Sequence, residues 1–314
     1  MNNKNSKINL KKVISILGPT NTGKTNLAVA LSQEIDCKLI SVDSVQAYKF
    51  ADIGSNKPKP EVLKKNKHYL IDILEPNKNF SVNSFLGRVE KELKVNKDSI
   101  RTPLFVGGSM MYFYSLLNGI SKLPSKDNQL RKKIEVEAEQ IGWNKMHEKL
   151  LKLDPEIGKK INSNDSQRIQ RALEVNLSSG KSMSDLQKES KLKPLEDYKK
   201  FTFAIVPRDK KKFKNELKQR FLKMIQEGLI DEVSSIQSMY EGQDIPVLKS
   251  IGYKQVCQYL AGELTKDGLI ERATNATYQY SKRQITWLNK IKVDCRFYSD
   301  EDDKVMKILS KLKN

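Results

Sequence analysis

Eight residues, Gly18, Pro19, Thr20, Asn21, Thr22, Gly23, Lys24 and Thr25, stand between an apolar run at 13–17 and a helix-like stretch at 26–34. This G-x-x-x-x-G-K-T pattern constrains the chain more than any other feature. Gly18 and Gly23 stand where the backbone must bend around an anion, Lys24 reaches terminal phosphate oxygens, and Thr25 offers its hydroxyl to a magnesium ion. The helix that follows aims its unpaired amides at the same charge. All eight residues are therefore expected to bind phosphate, with Mg2+ as cofactor at Thr25. Many nucleotide-binding proteins share such a loop, so it does not by itself say which phosphate compound it holds.

Further β-like runs at 39–42, 69–73 and 103–106 alternate with helical stretches, a pattern that predicts a parallel sheet flanked by helices, of the P-loop NTPase type. In such sheets ligands gather beyond the carboxyl ends of the strands. The loop, Asp43, Asp72, Gly107 and Gly108 all fall at such ends, so one shared cleft is expected. Asp43 is placed to orient a metal or act as a base, and Asp72 competes for the metal. Each carboxylate has a structural alternative as a helix or turn cap. Ser109 has the same two options, to cap a helix or to bind a substrate oxygen.

Past Gly119 the sequence becomes charged and helix-rich, without a convincing strand until the run 201–206. We therefore expect residues 1–119 to form the first part of the P-loop core and 120–199 an inserted all-helical domain. Residues 200–314 complete the core with mainly helical sequence and one late β-like piece, Cys295–Tyr298. Within the insertion, Asn164, Asp165 and Ser166 read as a helix start. Arg168 and Arg171, three residues apart on one face, follow it with Gln167 and Gln170. In the stretch 277–290, Tyr280, Gln284 and Trp287 fall near one helical stripe, with Trp287 expected in the core.

The balance of 57 Lys and Arg against 38 Asp and Glu leaves a formal charge of +19, which suits a polyanionic partner such as nucleic acid. Cys37, Cys257 and Cys295 lie far apart, and His68 and His147 have no metal-ligand partners at useful spacing, so neither a disulfide framework nor a zinc site is expected. No apolar run approaches the roughly 20 residues of a membrane helix, and the polar start lacks a signal-peptide core. A cytoplasmic protein with no membrane partner is expected. A cleft built within one chain makes a monomer the default.

Taken in order, GPTNTGKT at 18, SVDS at 41, QAYK at 46, DIGSNKP at 52, GGSMMYF at 107, NDSQRIQRALEV at 164, QRFLKMI at 219, IGYKQ at 251 and KRQITWL at 282 resemble the sequence blocks of the bacterial tRNA dimethylallyltransferases. The resemblance implies that the loop cradles dimethylallyl diphosphate and that the acceptor is the adenosine beside the tRNA anticodon. Lys24 and Arg220 would then attend the leaving diphosphate, and Asp43 would be the general base. By the same analogy Asp43, Ser44, Val45, Gln46, Ser109, Arg131, Gln167, Arg168, Ile169, Gln170 and Arg171 would contact the tRNA. Lys282 and Arg283 would join them, and the insertion would grip the anticodon stem-loop. The chain departs from the family's usual threonine at Ser109 and from its frequent arginines at Lys249 and Tyr278. Two other readings stay open on residues alone: transfer to a free adenine nucleotide, and a non-catalytic RNA-binding protein whose loop senses ATP or GTP.

Overall fold

The computed structural model describes residues 11–95, 101–189 and 191–313. It divides into two compact units, one of Met1–Leu117 with Pro194–Asn314 and the other of Asn118–Lys193. In the first, six strands form one sheet: β1 (Lys11–Leu17), β2 (Cys37–Val42), β3 (His68–Tyr69), β4 (Thr102–Gly107), β7 (Tyr198–Val206) and β8 (Cys295–Tyr298). Their spatial order is β3-β2-β4-β1-β7-β8, and every pairing is parallel.

Continuous apolar sequence explains this sheet, because a parallel strand covered on both faces has no solvent side to keep polar. Ile14 and Ile16 of β1 pack with Leu39, Leu104, Val106, Phe203 and Ile205 on one face. Helix α1 (Lys24–Glu34) covers them through Leu27, Ala28 and Leu31, and helix α14 (Lys304–Lys313) adds Ile308. The alternate residues Val13, Leu17, Ile40 and Phe105 are buried as well. Helices α2 (Pro60–Lys65), α3 (Val82–Val95) and α4 (Met110–Asn118) complete the first half of the unit. In the second half α10 (Lys210–Gln226), α11 (Leu229–Met239), α12 (Tyr253–Leu260) and α13 (Lys266–Leu288) share a core built on Phe221, Leu229, Val233, Tyr253, Val256 and Leu269.

The third strand is shorter than its apolar run predicts. Leu70 and Asp72 take positive φ (65° and 54°), which turns the chain out of the sheet directly after Tyr69. The run at 201–206, by contrast, starts early: Tyr198 and Lys199 already pair with Lys11 and Lys12 of β1.

The second unit holds α5 (Asn128–Ile141), α6 (Trp143–Leu153), α7 (Pro155–Gly158), α8 (Ser166–Ser179) and α9 (Met183–Lys188). Their core is Ile134, Met146, Leu150, Ile157, Ile169 and Leu173. Asp165 caps α8 by accepting from the Arg168 amide, and Gly180 ends it at φ 66°, as the turn and cap residues predict. The unit is not wholly helical: β5 (Ile120–Ser121) and β6 (Lys191–Leu192) form a short antiparallel ladder. Two-residue strands carry too little periodicity to read from sequence.

Candidate active site

The phosphate loop leaves β1 at the point where the sheet's connections diverge to either side, the position at which open α/β sheets bind ligands. Its backbone conformation demands the residues it has. A Cβ on Gly18 would stand 2.1 Å from the Ile205 carbonyl oxygen of β7, and Gly23 takes φ 78° directly before α1. No side chain caps α1, so its first amides are left for an anion. Thr22 Oγ1 donates to the Pro19 carbonyl at 2.9 Å, and the Lys24 ammonium donates to the same carbonyl.

A cleft of about 500 Å3 opens beyond the strand ends. Thr20, Asn21, Thr22, Gly23, Lys24 and Thr25 line it, as do Asp43, Ser44, Val45, Gln46, Gly107, Gly108 and Arg220. Gly18 and Pro19 lie buried behind the loop rather than in its wall.

Three charges meet in this cleft. Lys24, only 8% exposed, is brought down to about 7 by burial and by the nearby Arg220 guanidinium, with Asp43 pulling the other way. Asp43 is raised above the usual carboxylate range because the cleft strips water from it. The amides of Val45 and Gln46, which donate to its Oδ1 at 2.8 and 3.2 Å, oppose that shift, as do Lys24 and Arg220. Arg220 is drawn down to about 10 by burial. Its Nη1 donates to Thr20 Oγ1 at 2.6 Å, while its Nε is buried with no partner. The trio carries net positive charge with unspent donors, the electrostatics of a site that receives an anion.

A family model described as IPP transferase matches residues 46–291. This chain belongs to the IPP transferase family. Two solved structures are similar over nearly the whole chain. The tRNA isopentenylpyrophosphate transferase of Bacillus halodurans is 29% identical, with 96% of each chain covered and a TM-score of 0.67. The tRNA delta(2)-isopentenylpyrophosphate transferase of Staphylococcus epidermidis is 28% identical, covering 96% of this chain and 99% of its own, with a TM-score of 0.66. A eukaryotic dimethylallyltransferase acting on tRNA shares the fold at 24% identity and a TM-score of 0.79, with 96% of this chain and 77% of that one covered.

In this member of the family Gln284, which the sequence places only on a helical stripe, and Glu232, which it does not single out, hold the cleft together. Gln284 of α13, buried, donates to the Gly108 carbonyl at 2.7 Å and accepts from the Thr20 amide at 3.2 Å. One amide thus ties the phosphate loop to the glycine turn after β4. Glu232 of α11 accepts from the amides of Asp52, Ile53 and Gly54 at 2.8, 2.7 and 3.1 Å and from Tyr253 Oη at 2.7 Å. These partners pin the segment that supplies Gly54, Ser55 and Asn56 to the cleft wall. Apart from the Tyr253 contact, 21 residues away, these hydrogen bonds span more than 170 residues of sequence, so no local pattern announces them.

Ser109 is buried, and its Oγ accepts from the Ser44 amide at 3.0 Å. It braces the loop after Asp43 rather than lining the cleft. Asp72 departs from expectation: it pairs with Lys57 at 2.5 Å and is absent from the lining, because the turn after β3 carries it to the surface. Lys282 and Arg283 are exposed, with their cations 4.7 Å and 5.9 Å from the ring centres of Tyr278 and Tyr280. Trp287 is half-buried, edge-to-face with Tyr114 at 5.8 Å.

Within the helical unit, α8 sorts its residues sharply. Gln167 and Arg168 are exposed. Ile169 is 0% exposed and belongs to the core, and Gln170 spends its amide on the Arg131 carbonyl and on Glu135 at 2.8 Å. Neither side chain is free to meet an RNA, a correction that follows from the helical period of α8 itself. Arg131 and Arg171 both bind the fully buried Glu174, at 3.0 and 2.8 Å.

The donor set bears on magnesium. Among the described residues no three His, Cys, Asp or Glu side chains gather into a metal cage. Thr25 and Asp43, both in the cleft lining, offer oxygens only. This suits an ion that keeps most of its waters and arrives with substrate phosphates.

Proposed function

We infer that this chain transfers a dimethylallyl group from dimethylallyl diphosphate to the exocyclic amine of the adenosine 3′ to the anticodon in tRNA, releasing diphosphate. The observation that carries this reading is the shared cleft, in an IPP transferase family member, of a phosphate-cradling loop and a carboxylate at the tip of the neighbouring strand. Its volume of about 500 Å3 is of the size that encloses small ligands.

The chemistry follows from the residues. An adenine amine is a poor nucleophile because its lone pair is delocalised into the ring. A base that takes its proton as the new N–C bond forms removes the charge that would otherwise build there. Asp43, held ready by two backbone amides, is suited to accept that proton. As the allylic C–O bond breaks, the electron pair leaves with the diphosphate. Lys24, Arg220 and the loop amides are suited to meet that growing charge. Thr25 and the diphosphate oxygens would hold magnesium, which would supply further neutralisation of the leaving group. The base must leave its stack to enter such a cleft, as in other base-modifying enzymes.

The tRNA side of the reading is supported by the formal charge of +19 and by the exposed Gln167 and Arg168. Ser44, Val45 and Gln46, in the cleft lining, are proposed to meet the flipped nucleotide, and Lys282 and Arg283 the phosphates beside it. We place the reaction in the cytoplasm, carried out by a monomer. No described helix is long and apolar enough to cross a membrane.

Incubating the protein with labelled dimethylallyl diphosphate and either unmodified tRNA or AMP tests the reading. Label entering tRNA, with diphosphate released only when both substrates are present, is the expected result. Label appearing on AMP alone would redirect it to a free-nucleotide transferase, and label on neither would defeat it.

A further inference from the structure

A second groove, of about 350 Å3, lies on the same unit as the reaction cleft but outside it. Helix α10 contributes Lys210, Lys211, Lys214, Asn215 and Lys218, and α13 contributes Thr274 and Tyr278. All four lysines are exposed, and none makes an ion pair among the described residues. Asp209, next to Lys210 in sequence, spends an oxygen capping α10 through the amides of Lys211 and Lys212, and Glu216, two residues from both Lys214 and Lys218, lies off their face of the helix. Lys214 and Lys282 both lie against the Tyr278 ring, at 5.8 and 4.7 Å from its centre. Thr274, 5% exposed, has a buried hydroxyl with no hydrogen-bond partner. Converging, unneutralised ammonium groups repel one another, and an unpaired buried hydroxyl is costly. A bound anion relieves the first, and a phosphate oxygen that reaches Thr274 would relieve the second.

The placement of this groove says which anion. The helices that form it also wall the reaction cleft: Leu217 lines the cleft and Lys218 the groove, Thr277 the cleft and Tyr278 the groove. A strand that puts one base into the cleft and leaves over these two helices lays its backbone along the groove. Lys210, Lys214 and Lys218, one helical turn apart, form a row roughly 12 Å long. A nucleic-acid strand bears one charge per about 3.4 Å of axis, so the row spans several phosphates. A compact free phosphate compound would leave much of it unmatched.

We propose that the α10–α13 groove is a backbone-binding site for the RNA substrate, in which the lysine row and Thr274 hold phosphates next to the nucleotide being modified. The proposal rests on the reading of the cleft as a site of transfer to RNA.

The test is direct binding of an unmodified anticodon stem-loop, measured without donor over a range of salt. It compares the unsubstituted protein with a Lys210→Gln, Lys214→Gln, Lys218→Gln variant and with the corresponding triple Lys→Arg variant. The Gln variant is expected to bind at least tenfold more weakly, with its salt slope shallower by about 2, since each phosphate contact on a single strand contributes about 0.7. The Arg variant is expected to keep both, which separates lost charge from lost folding. The kcat at saturating RNA and the KM for dimethylallyl diphosphate should stay at the unsubstituted values. Unchanged affinity and slope in the Gln variant would overturn the proposal. So would a groove whose lysines are shielded from acylation by inorganic diphosphate and not by the stem-loop. Because binding is read without chemistry, an unsubstituted protein that binds RNA here yet transfers no label would sink the proposed reaction and leave the groove standing.

Discussion

Arg220 donates a hydrogen bond to Thr20 Oγ1 at 2.6 Å, joining α10 to the phosphate loop across 200 residues of sequence. The contact uses one nitrogen of a planar fork and leaves Nε buried and unpaired, so the guanidinium is held in place with donors in hand. Arg220→Ala is expected to lower kcat by about 10²-fold, the usual cost of removing one donor to a developing anion. Arg220→Lys should recover only part of this, because an ammonium cannot hold Thr20 and reach the ligand in the same geometry. Single-turnover rates at saturating donor separate this loss from weaker binding.

Asp43 has two duties, accepting the amides of Val45 and Gln46 and facing the cleft. Asp43→Asn keeps an acceptor oxygen for the amides and removes the base. Turnover should fall by about 100-fold or more while RNA affinity changes little. A parallel collapse of affinity, measured by filter binding, would show that the carboxylate mainly shapes the loop.

The pH profile follows from the directions of two shifts. Asp43 must be ionised to take a proton, and its raised pKa puts an acidic limb on kcat/KM. Lys24 must be charged to draw diphosphate, and burial brings it to about 7 in the free protein, so kcat/KM for the donor should decline as pH rises through that value. Asp43→Asn should flatten the acidic limb of whatever activity remains. Lys24→Arg, always charged, should move the alkaline limb upward, even if its rate is low.

Much of this site is legible in the sequence itself. The glycines of the phosphate loop, Asp43 at the tip of β2 and the glycine pair after β4 each sit at the end of a continuous apolar run, and strand ends in a parallel sheet face one side. Asp72 has the same local signature and failed, because Leu70 and Asp72 adopt positive φ and leave the sheet early, which their residue types do not foretell. The roles of Gln284 and Glu232 were hidden for the opposite reason: the backbone groups they hold at the cleft are distant in sequence, so the stripe that carries Gln284 does not say what it binds. On α8 the pattern of arginines hid a division that burial makes plain, with Ile169 in the core and Arg168 at 69% side-chain exposure.

Gln284 offers a test of how far the cleft depends on such distant ties. Gln284→Leu keeps the volume but leaves the Gly108 carbonyl and the Thr20 amide without their partner, at about 1–3 kcal/mol for each buried group. The phosphate loop should loosen, and the KM for dimethylallyl diphosphate should rise at least tenfold with a smaller effect on the KM for RNA. Equal rises in both would mean that α13 as a whole has shifted.

The arginines of the helical unit separate by what they hold. Glu174 is fully buried, and burial works against its charge. Hydrogen bonds from Arg131 and Arg171, with the Asp127 amide at 2.7 Å, outweigh that and keep its carboxyl below the usual range. Replacing both arginines by alanine strands a buried carboxylate, a loss of about 3–5 kcal/mol for a broken buried pair. The double variant should therefore melt well below the unsubstituted protein, and adding Glu174→Leu should restore much of that stability by removing the orphaned charge. Arg168 makes only a long, exposed contact with Asp165, at 3.4 Å, so Arg168→Ala should leave the melting temperature nearly unchanged. Any fall in RNA affinity it causes then reports an RNA contact, whereas a fall seen with Arg131→Ala or Arg171→Ala counts as one only after the Glu174→Leu background has recovered the fold. Thermal melts run beside stem-loop binding for the same proteins decide the matter. RNA affinity that stays low in the stabilised triple variant would assign Arg131 and Arg171 a direct part in recognition, and affinity that returns with stability would confine them to holding Glu174.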